Sequence, residues 1–327
     1  MTTAGPTSLP PTRPTRPNRG RRLRWLVAVV LVIAAAVGVR ALTRPKTWDT
    51  AATEPVASGR ETLVGTLCFS VVENTSAPGT AIEPGVYAID LGTSVRRKVL
   101  DRIPESIRLS PDSTMLAYQD AKFVVHVRYR DGTDRLIEGM NGPPVWSRDG
   151  EELIATAASQ ISDTKWKCVS RRARLDGTGM TQLPLPETDI VEDWSPDKNW
   201  LLVTTDPTGK GENYQLHCVR LDGSERTVLG KTGRHFCPRF SGTGHEVSFL
   251  RQVNGVTILF VTDVRATRLT EVYRIPRGAP NAAANWVDKG RRLLLLSGEE
   301  IVAIDPTTGG RFPLNLPRFS YGLVDCQ

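Results

Sequence analysis

The chain has 327 residues, room for one large domain or two ordinary ones, and its 39% apolar and 24% charged residues are a globular composition, not a disordered one. The formal charge of +7 is unevenly placed: residues 1–46 hold nine basic residues and no acid, which leaves 33 basic and 35 acidic residues in 47–327. A body near −2 has no bulk surplus of cations to displace phosphate counterions, so no nucleic-acid partner is expected.

Residues 1–24 are rich in Pro, Thr and Arg, with Pro10, Pro11, Pro14 and Pro17 removing backbone donors and little that is apolar to bury. They are expected to be a disordered basic tail in the cytoplasm. From Trp25 to Val39 run 15 residues without a charge, and continuing through Leu42 gives 18. That is about 27 Å of helix, marginal for a span of roughly 30 Å. Arg40 can snorkel to the headgroups near one end, and Trp25 suits the opposite interface. Six arginines precede this stretch, so residues 25–42 read as a single-pass signal anchor of the cytoplasmic membrane. The domain that follows is then periplasmic or on the cell surface.

Two other readings compete for 25–42. An apolar run of this length also fits a cleavable signal peptide, with Val39-Arg40-Ala41 near the cut, and the domain would then be secreted. A buried soluble helix is the third. Residues 43–61, with Pro45 and Pro55, read as a linker.

The remainder, 62–327, is a repeat. One element is an aromatic or Leu, a Ser, a turn, and a β-prone run. Its copies are Leu109-Ser110-Pro111-Asp112, Trp146-Ser147-Arg148-Asp149-Gly150 and Trp194-Ser195-Pro196-Asp197, with weaker copies at Phe240-Ser241 and Trp286-Val287. A second element lies between them: Asp131-Gly132-Thr133, Asp176-Gly177-Thr178 and Asp222-Gly223-Ser224, with degenerate forms at 91–93, 265–267 and 307–309. The repeat length is roughly 44 residues. Pro presets φ in a turn, Asp bonds its own backbone, and Gly closes the turn without strain, so each element is a strand–turn–strand unit. Two hairpins per repeat make a four-stranded antiparallel blade, and the fold class is all-β, a six-bladed propeller. The Trp, Phe or Leu before each Ser then belongs to blade-to-blade core.

These turns and hairpins resemble the TolB-like propeller repeats, bacterial relatives of WD-repeat proteins. The resemblance covers about 62–325. It implies protein partners in the cell envelope, bound on a rim of loops or at the channel mouth. The first repeat begins at its second strand, around Thr66–Ser70, and Pro317-Arg318-Phe319-Ser320 looks like a first strand without its blade. A closure is expected in which 316–324 completes the first blade and removes its free edge.

Chemistry is sparse. No Gly-x-Ser-x-Gly elbow occurs, and the catalytic domain that follows some peptidase propellers has no room before the chain stops. His126 and His217 hold equivalent third-strand positions in different blades, and no His-x-His, His-Glu-x-x-His or Cys-x-x-Cys spacing exists. No catalytic residue, metal or cofactor is assigned. The run Asp206–Gly211 is read as a hairpin loop, and Arg96-Arg97-Lys98 and Arg171-Arg172 as solvated strand edges. In an exported domain Cys68 and Cys326 could staple the ring shut, or Cys218 could pair with Cys237; Cys168 completes the odd count. Asn74-Thr75-Ser76 is a glycosylation sequon, meaningful only in a eukaryotic secretory pathway.

The leading functional expectation is a membrane-anchored, non-catalytic protein-binding scaffold. The alternative is a propeller enzyme or small-ligand binder using polar residues at the central channel, one from each blade. A sensor that reports to the membrane is a third.

Overall fold

Short β-prone runs separated by Ser-Pro-Asp and Asp-Gly turns resolve into six four-stranded antiparallel sheets in a computed structural model. It describes residues 63–71, 83–162, 165–206, 214–230, 234–275, 282–297, 300–314 and 321–326. The tail, the 25–42 segment, the linker, the sequon and the core of the Asp206–Gly211 loop lie outside the described residues. Among the described residues no helix is long and apolar enough to cross a membrane.

The strands follow in chain order. Blade 1 holds β1 (Thr66–Val71), β2 (Gly85–Asp90) and β3 (Arg96–Leu100). Blade 2 holds β4 (Ser106–Leu109), β5 (Met115–Gln119), β6 (Val124–Tyr129) and β7 (Asp134–Asn141). Blade 3 holds β8 (Pro144–Trp146), β9 (Glu152–Ser162), β10 (Lys165–Arg174) and β11 (Thr181–Gln182). Blade 4 holds β12 (Asp189–Trp194), β13 (Trp200–Thr205), β14 (Gln215–Arg220) and β15 (Arg226–Gly230). Blade 5 holds β16 (Arg234–Phe240), β17 (Glu246–Val253), β18 (Val256–Asp263) and β19 (Leu269–Ile275). Blade 6 holds β20 (Ala282–Val287), β21 (Arg292–Ser297), β22 (Glu300–Ile304) and β23 (Arg311–Pro313). The last strand, β24 (Tyr321–Cys326), pairs with β1 and completes blade 1.

Side chains alternate across each strand, so every blade shows an apolar face to each neighbour. The core is accordingly six clusters, one at each junction. Leu116 and Tyr118 of β5 pack with Cys68 and Val86 of blade 1, while Ala117 between them joins Trp146 and Leu153 of blade 3. Trp194 meets Val145 and Ile154, Phe240 meets Leu202 and Leu216, and Trp286 meets Leu250 and Leu259. Leu67 and Phe69 close the circle against Val287 and Leu294. The residue before each turn Ser is thus interblade core, as its spacing predicted.

The turns are held as their chemistry predicted. The Ser110 hydroxyl donates to Asp112 (2.6 Å) and accepts from the Met115 amide (2.9 Å). Ser147 does the same with Asp149 and the Glu152 amide, and Ser195 with Asp197 (2.5 Å) and the Trp200 amide (2.8 Å). Burial alone would raise the Asp112, Asp149 and Asp197 carboxyls, but their donors outweigh it and hold all three below the ordinary range. Gly150 takes a left-handed φ of 73° that Ser113 and Lys198 take at 60° and 61° with a Cβ. In the second hairpins Asp131, Asp176 and Asp222 accept the amides of Thr133, Thr178 and Ser224, and Gly132, Gly177 and Gly223 supply the positive φ. The degenerate copies have the carboxylate earlier than the aligned triplets: Asp90, Asp263 and Asp305 cap those turns.

Two expectations are corrected at the closure. The described closing strand runs 321–326, two residues past the expected end at 324, because β1 pairs Cys68 with Asp325 and Leu67 with Cys326; residues 316–320 lie outside the described residues. The same register denies the staple its geometry: Cys68 stands opposite Asp325, is a free thiol, and is pushed up by burial. Cys168, Cys218 and Cys237 are free thiols as well. Ladder bonds and apolar packing close the ring instead.

The turn serines give a first test. Ser195→Ala leaves a buried amide and a carboxylate each short of a partner and should cost about 2 kcal/mol. Ser241 contacts Thr243 at 3.1 Å and no carboxylate, so Ser241→Ala should cost about 1 kcal/mol or less. Denaturant unfolding of the two variants measures the difference; equal costs would contradict the carboxylate tie.

Candidate site at the channel mouth

Two residues before each turn serine, the inner strand sends a side chain to the central channel. These residues are Arg108, Val145, Asp193 and Arg239, with Asn285 and Asp325 in the matching places of blades 6 and 1. Around the ring the order is Asp, Arg, Val, Asp, Arg, Asn. They floor a cavity of about 360 Å³ whose rim includes Pro111, Arg148, Pro196, Gly242 and Lys289.

Asp325 is the hub, 1% exposed in its side chain. One oxygen accepts the Leu109 amide of blade 2 at 2.7 Å. The other is shared by Asn285 Nδ2 (3.3 Å), Arg108 Nη1 (3.5 Å) and Arg239 Nη2 (3.8 Å), which bring in blades 6, 2 and 5. Asp193 repeats the tie half a turn of the ring away, accepting the Phe240 amide of blade 5 at 2.7 Å. Indoles bridge other junctions: Trp146 donates to the Arg108 carbonyl (2.9 Å) and Trp286 to the Arg239 carbonyl (3.2 Å). Arg239 also donates to the Pro238 carbonyl at 2.7 Å.

Burial, and then the like charge of Arg239, lowers the Arg108 guanidinium. Burial would lower Arg239 too, but Asp193 and Asp325 outweigh it and raise that group. Burial pushes the Asp193 carboxyl up, against the pull of Arg239. The cluster is formally neutral, and both acids spend an oxygen on a backbone amide of the next blade. Its chemistry is cohesion of the ring, with the free faces of Arg108 and Arg239 turned to the cavity.

Of the turn residues singled out by sequence, Pro111, Asp112 and Pro196 reach the cavity lining. Ser110, Ser147 and Ser195 are buried within their own turns. Asp131, Gly132, Asp176, Gly177, Asp222 and Gly223 lie in the outer hairpins and are not brought to the channel. His126 and His217 fall on the third strands β6 and β14, as spacing predicted, and are not brought together. His126 lies 3.1 Å from Asp120 and stacks on Tyr118 with ring centroids 5.0 Å apart. His217 is 5% exposed, with neither ring nitrogen bonded among the described residues. No group of three metal-ligating side chains occurs among the described residues. Sequence reasoning missed the channel ring itself; the fixed offset of two from each turn serine was the signal.

The sequence matches no protein-family model and no curated protein. Solved structures share the fold. TolB from Acinetobacter baumannii superposes with a TM-score of 0.62 at 15% identity, over 80% of this chain and 66% of that one. The chain therefore spans just under two thirds of that TolB. A chain of a nidogen/laminin complex gives 0.56 at 11% identity, over 80% of this chain and 98% of that one. Oligogalacturonate lyase from Vibrio parahaemolyticus gives 0.51 at 10% identity, over 71% of each chain. The chain has the TolB-like six-bladed propeller fold.

Removing the hub charge tests its role. Asp325→Asn leaves two buried guanidiniums sharing one carboxylate and should cost about 3 kcal/mol in denaturant unfolding; a cost under about 1 kcal/mol would contradict the hub. His217 tests the buried interior. Burial, then Arg226, holds its pKa below the ordinary value, while Asp189 pulls the other way. Above about pH 6.5 the ring is neutral whether folded or unfolded. Below that pH the unfolded chain takes a proton that the folded chain refuses, so stability falls with pH until the folded pKa is passed. Thermal unfolding from pH 7 to pH 5 should show this slope, and His217→Leu should flatten it.

Proposed function

We propose that the chain is a membrane-tethered, extracytoplasmic propeller acting as a non-catalytic protein-binding scaffold of the cell envelope. The observation that carries this reading is the employment of the channel acids. Asp193 and Asp325 are bonded to the Phe240 and Leu109 amides, so the groups an enzyme would aim at a substrate hold neighbouring blades together. The uncharged run from Trp25 to Val39 behind six arginines supports the tether. Val64, Gly65 and Thr66 stand in the cavity lining, so the chain enters the ring on the face of the Ser-Pro-Asp turns. Entry on that side supports a placement with the turn face toward the membrane and the opposite loops outward.

The fold shared with TolB supports an envelope protein as partner, and the nidogen/laminin complex supports protein recognition by such a ring. The fold shared with a lyase keeps turnover as the alternative, with Arg108 and Arg239 facing the substrate. Crosslinking of the tagged full chain in intact cells should give discrete adducts with envelope proteins in the membrane fraction, and protease reaching the cell exterior should cut the propeller. Recovery of the chain in the soluble cytoplasmic fraction, without adducts, overturns the reading.

A further inference from the structure

Blade 3 departs from its neighbours in a way that leaves backbone unpaired. Its innermost strand, β8, has three residues, against four in β4, six in β12 and seven in β16, and only in blade 3 does so short a strand face a second strand of 11. Gly142-Pro143-Pro144 cuts it short. The prolines supply no N–H, and Gly142, at φ 105°, sits where a Cβ would fall 1.9 Å from the Thr156 carbonyl oxygen. The second strand does the opposite: β9 runs 11 residues and pairs with β10 as far as Ser162. Its pairing with β8 stops at Ala155. In blade 5, β16 pairs as far as Gln252, which follows Ser241 by the same interval as Ala158 follows Ser147.

The ladder fixes where the bare groups point. The Cys168 amide donates to Glu187 and the Ser170 carbonyl accepts from Leu183, so both residues turn their backbone away from β9. Their cross-strand neighbours Ala158 and Thr156 then turn theirs away from β10, toward the axis of the ring. Gly142 covers Thr156. Ala158 and, one step on, Gln160 have no backbone partner among the described residues. The stretch from Ala158 to Ser162 is exposed and contains no Pro, Gly or charge, the devices that keep a sheet edge from pairing. Ile161 lies in it, 55% exposed.

We propose that this edge is a strand-docking site, filled by an extended, uncharged segment of a partner protein that continues blade 3 where β8 stops. A single strand is the occupant that fits. The gap is the missing upper part of one inner strand, flanked by β7 and β12, which both pack on β9 and leave a slot one strand wide. Recognition comes from backbone bonds to Ala158 and Gln160, with an apolar partner side chain beside Ile161. This rests on the protein-binding reading above.

A displayed library of random decapeptides, selected on the full chain, tests it. Enriched peptides should be uncharged and β-prone, and should slow amide exchange at Ala158 and Gln160. They should bind at least about tenfold more weakly to Gln160→Pro, which removes an outward donor. Ala158→Lys, which keeps the backbone intact and charges the edge, should weaken them similarly. Equal binding to both variants, protection of other amides, or no enrichment overturns the proposal. A dimer of the wild-type chain that Gln160→Pro abolishes in ultracentrifugation assigns the edge to a second copy and overturns it as well. Envelope adducts that persist in Gln160→Pro would leave the scaffold reading standing while this site falls.

Discussion

A propeller blade has two apolar faces and can bury neither alone, so the stability of each sheet here depends on its neighbours on both sides. Tyr118 and Ala117 are adjacent in β5, yet one belongs to the junction with blade 1 and the other to the junction with blade 3. Such a structure has no stable half. A line of blades would leave apolar faces at both ends, which is why the last strand must return to the first. Asp325, on that returning strand, bonds Leu109 across 216 residues of chain and so ties the closing strand to blade 2 beside the ladder it makes with β1. The hub sits where the two ends of the repeat meet, and that position follows from the constraint.

Charges in the channel need a reason, since buried ion pairs lose in desolvation much of what they gain by attraction. The inner strands supply one. Their amides at Leu109 and Phe240 point across a junction where no ladder strand is available, and a carboxylate on the preceding blade is the acceptor that reaches them. The arginines then balance the acids. An apolar substitute would pack but leave those amides without partners, so the cluster fixes how blades sit against one another more than it adds net stability. Where Val145 stands in blade 3 no such acid exists, and the Trp194 indole at that junction is buried without a bonded partner among the described residues.

The ring was legible in the sequence because its turns act locally. Ser and Asp bond within five residues of chain, Pro presets φ, and Gly supplies a φ that others reach under strain, so spacing alone reveals them. The channel was not legible, because its residues share an offset and not a chemistry: Arg, Val, Asp, Arg, Asn and Asp differ in kind and are joined only by distant contacts. Phe319-Ser320 resembles the aromatic–Ser pair of the repeat and set the expected end of the strand at 324, whereas pairing with β1 reaches Cys326. The capping acids Asp90, Asp263 and Asp305 escaped because they stand one or two residues ahead of the first position of the triplet that aligns.

The two ends of the ring are under different physical demands. On the turn face the serines, aspartates and channel acids are engaged in holding blades, and little there can change without cost to the fold. The opposite face is made of connections whose length the core does not dictate, and variation is admissible there. Blade 3 shows how far this goes. With β8 cut short, the upper part of β9 is anchored by other means: the Thr156 hydroxyl bonds Ser170 at 2.9 Å and accepts the Val191 amide of blade 4 at 3.1 Å. The sheet therefore persists without its inner strand at that height. A strand can be withheld only where side chains compensate, and compensation of this kind leaves an edge whose backbone is ordered, exposed and unpaired. On the reading proposed above, recognition falls to the loop face, while the turn face is occupied with cohesion.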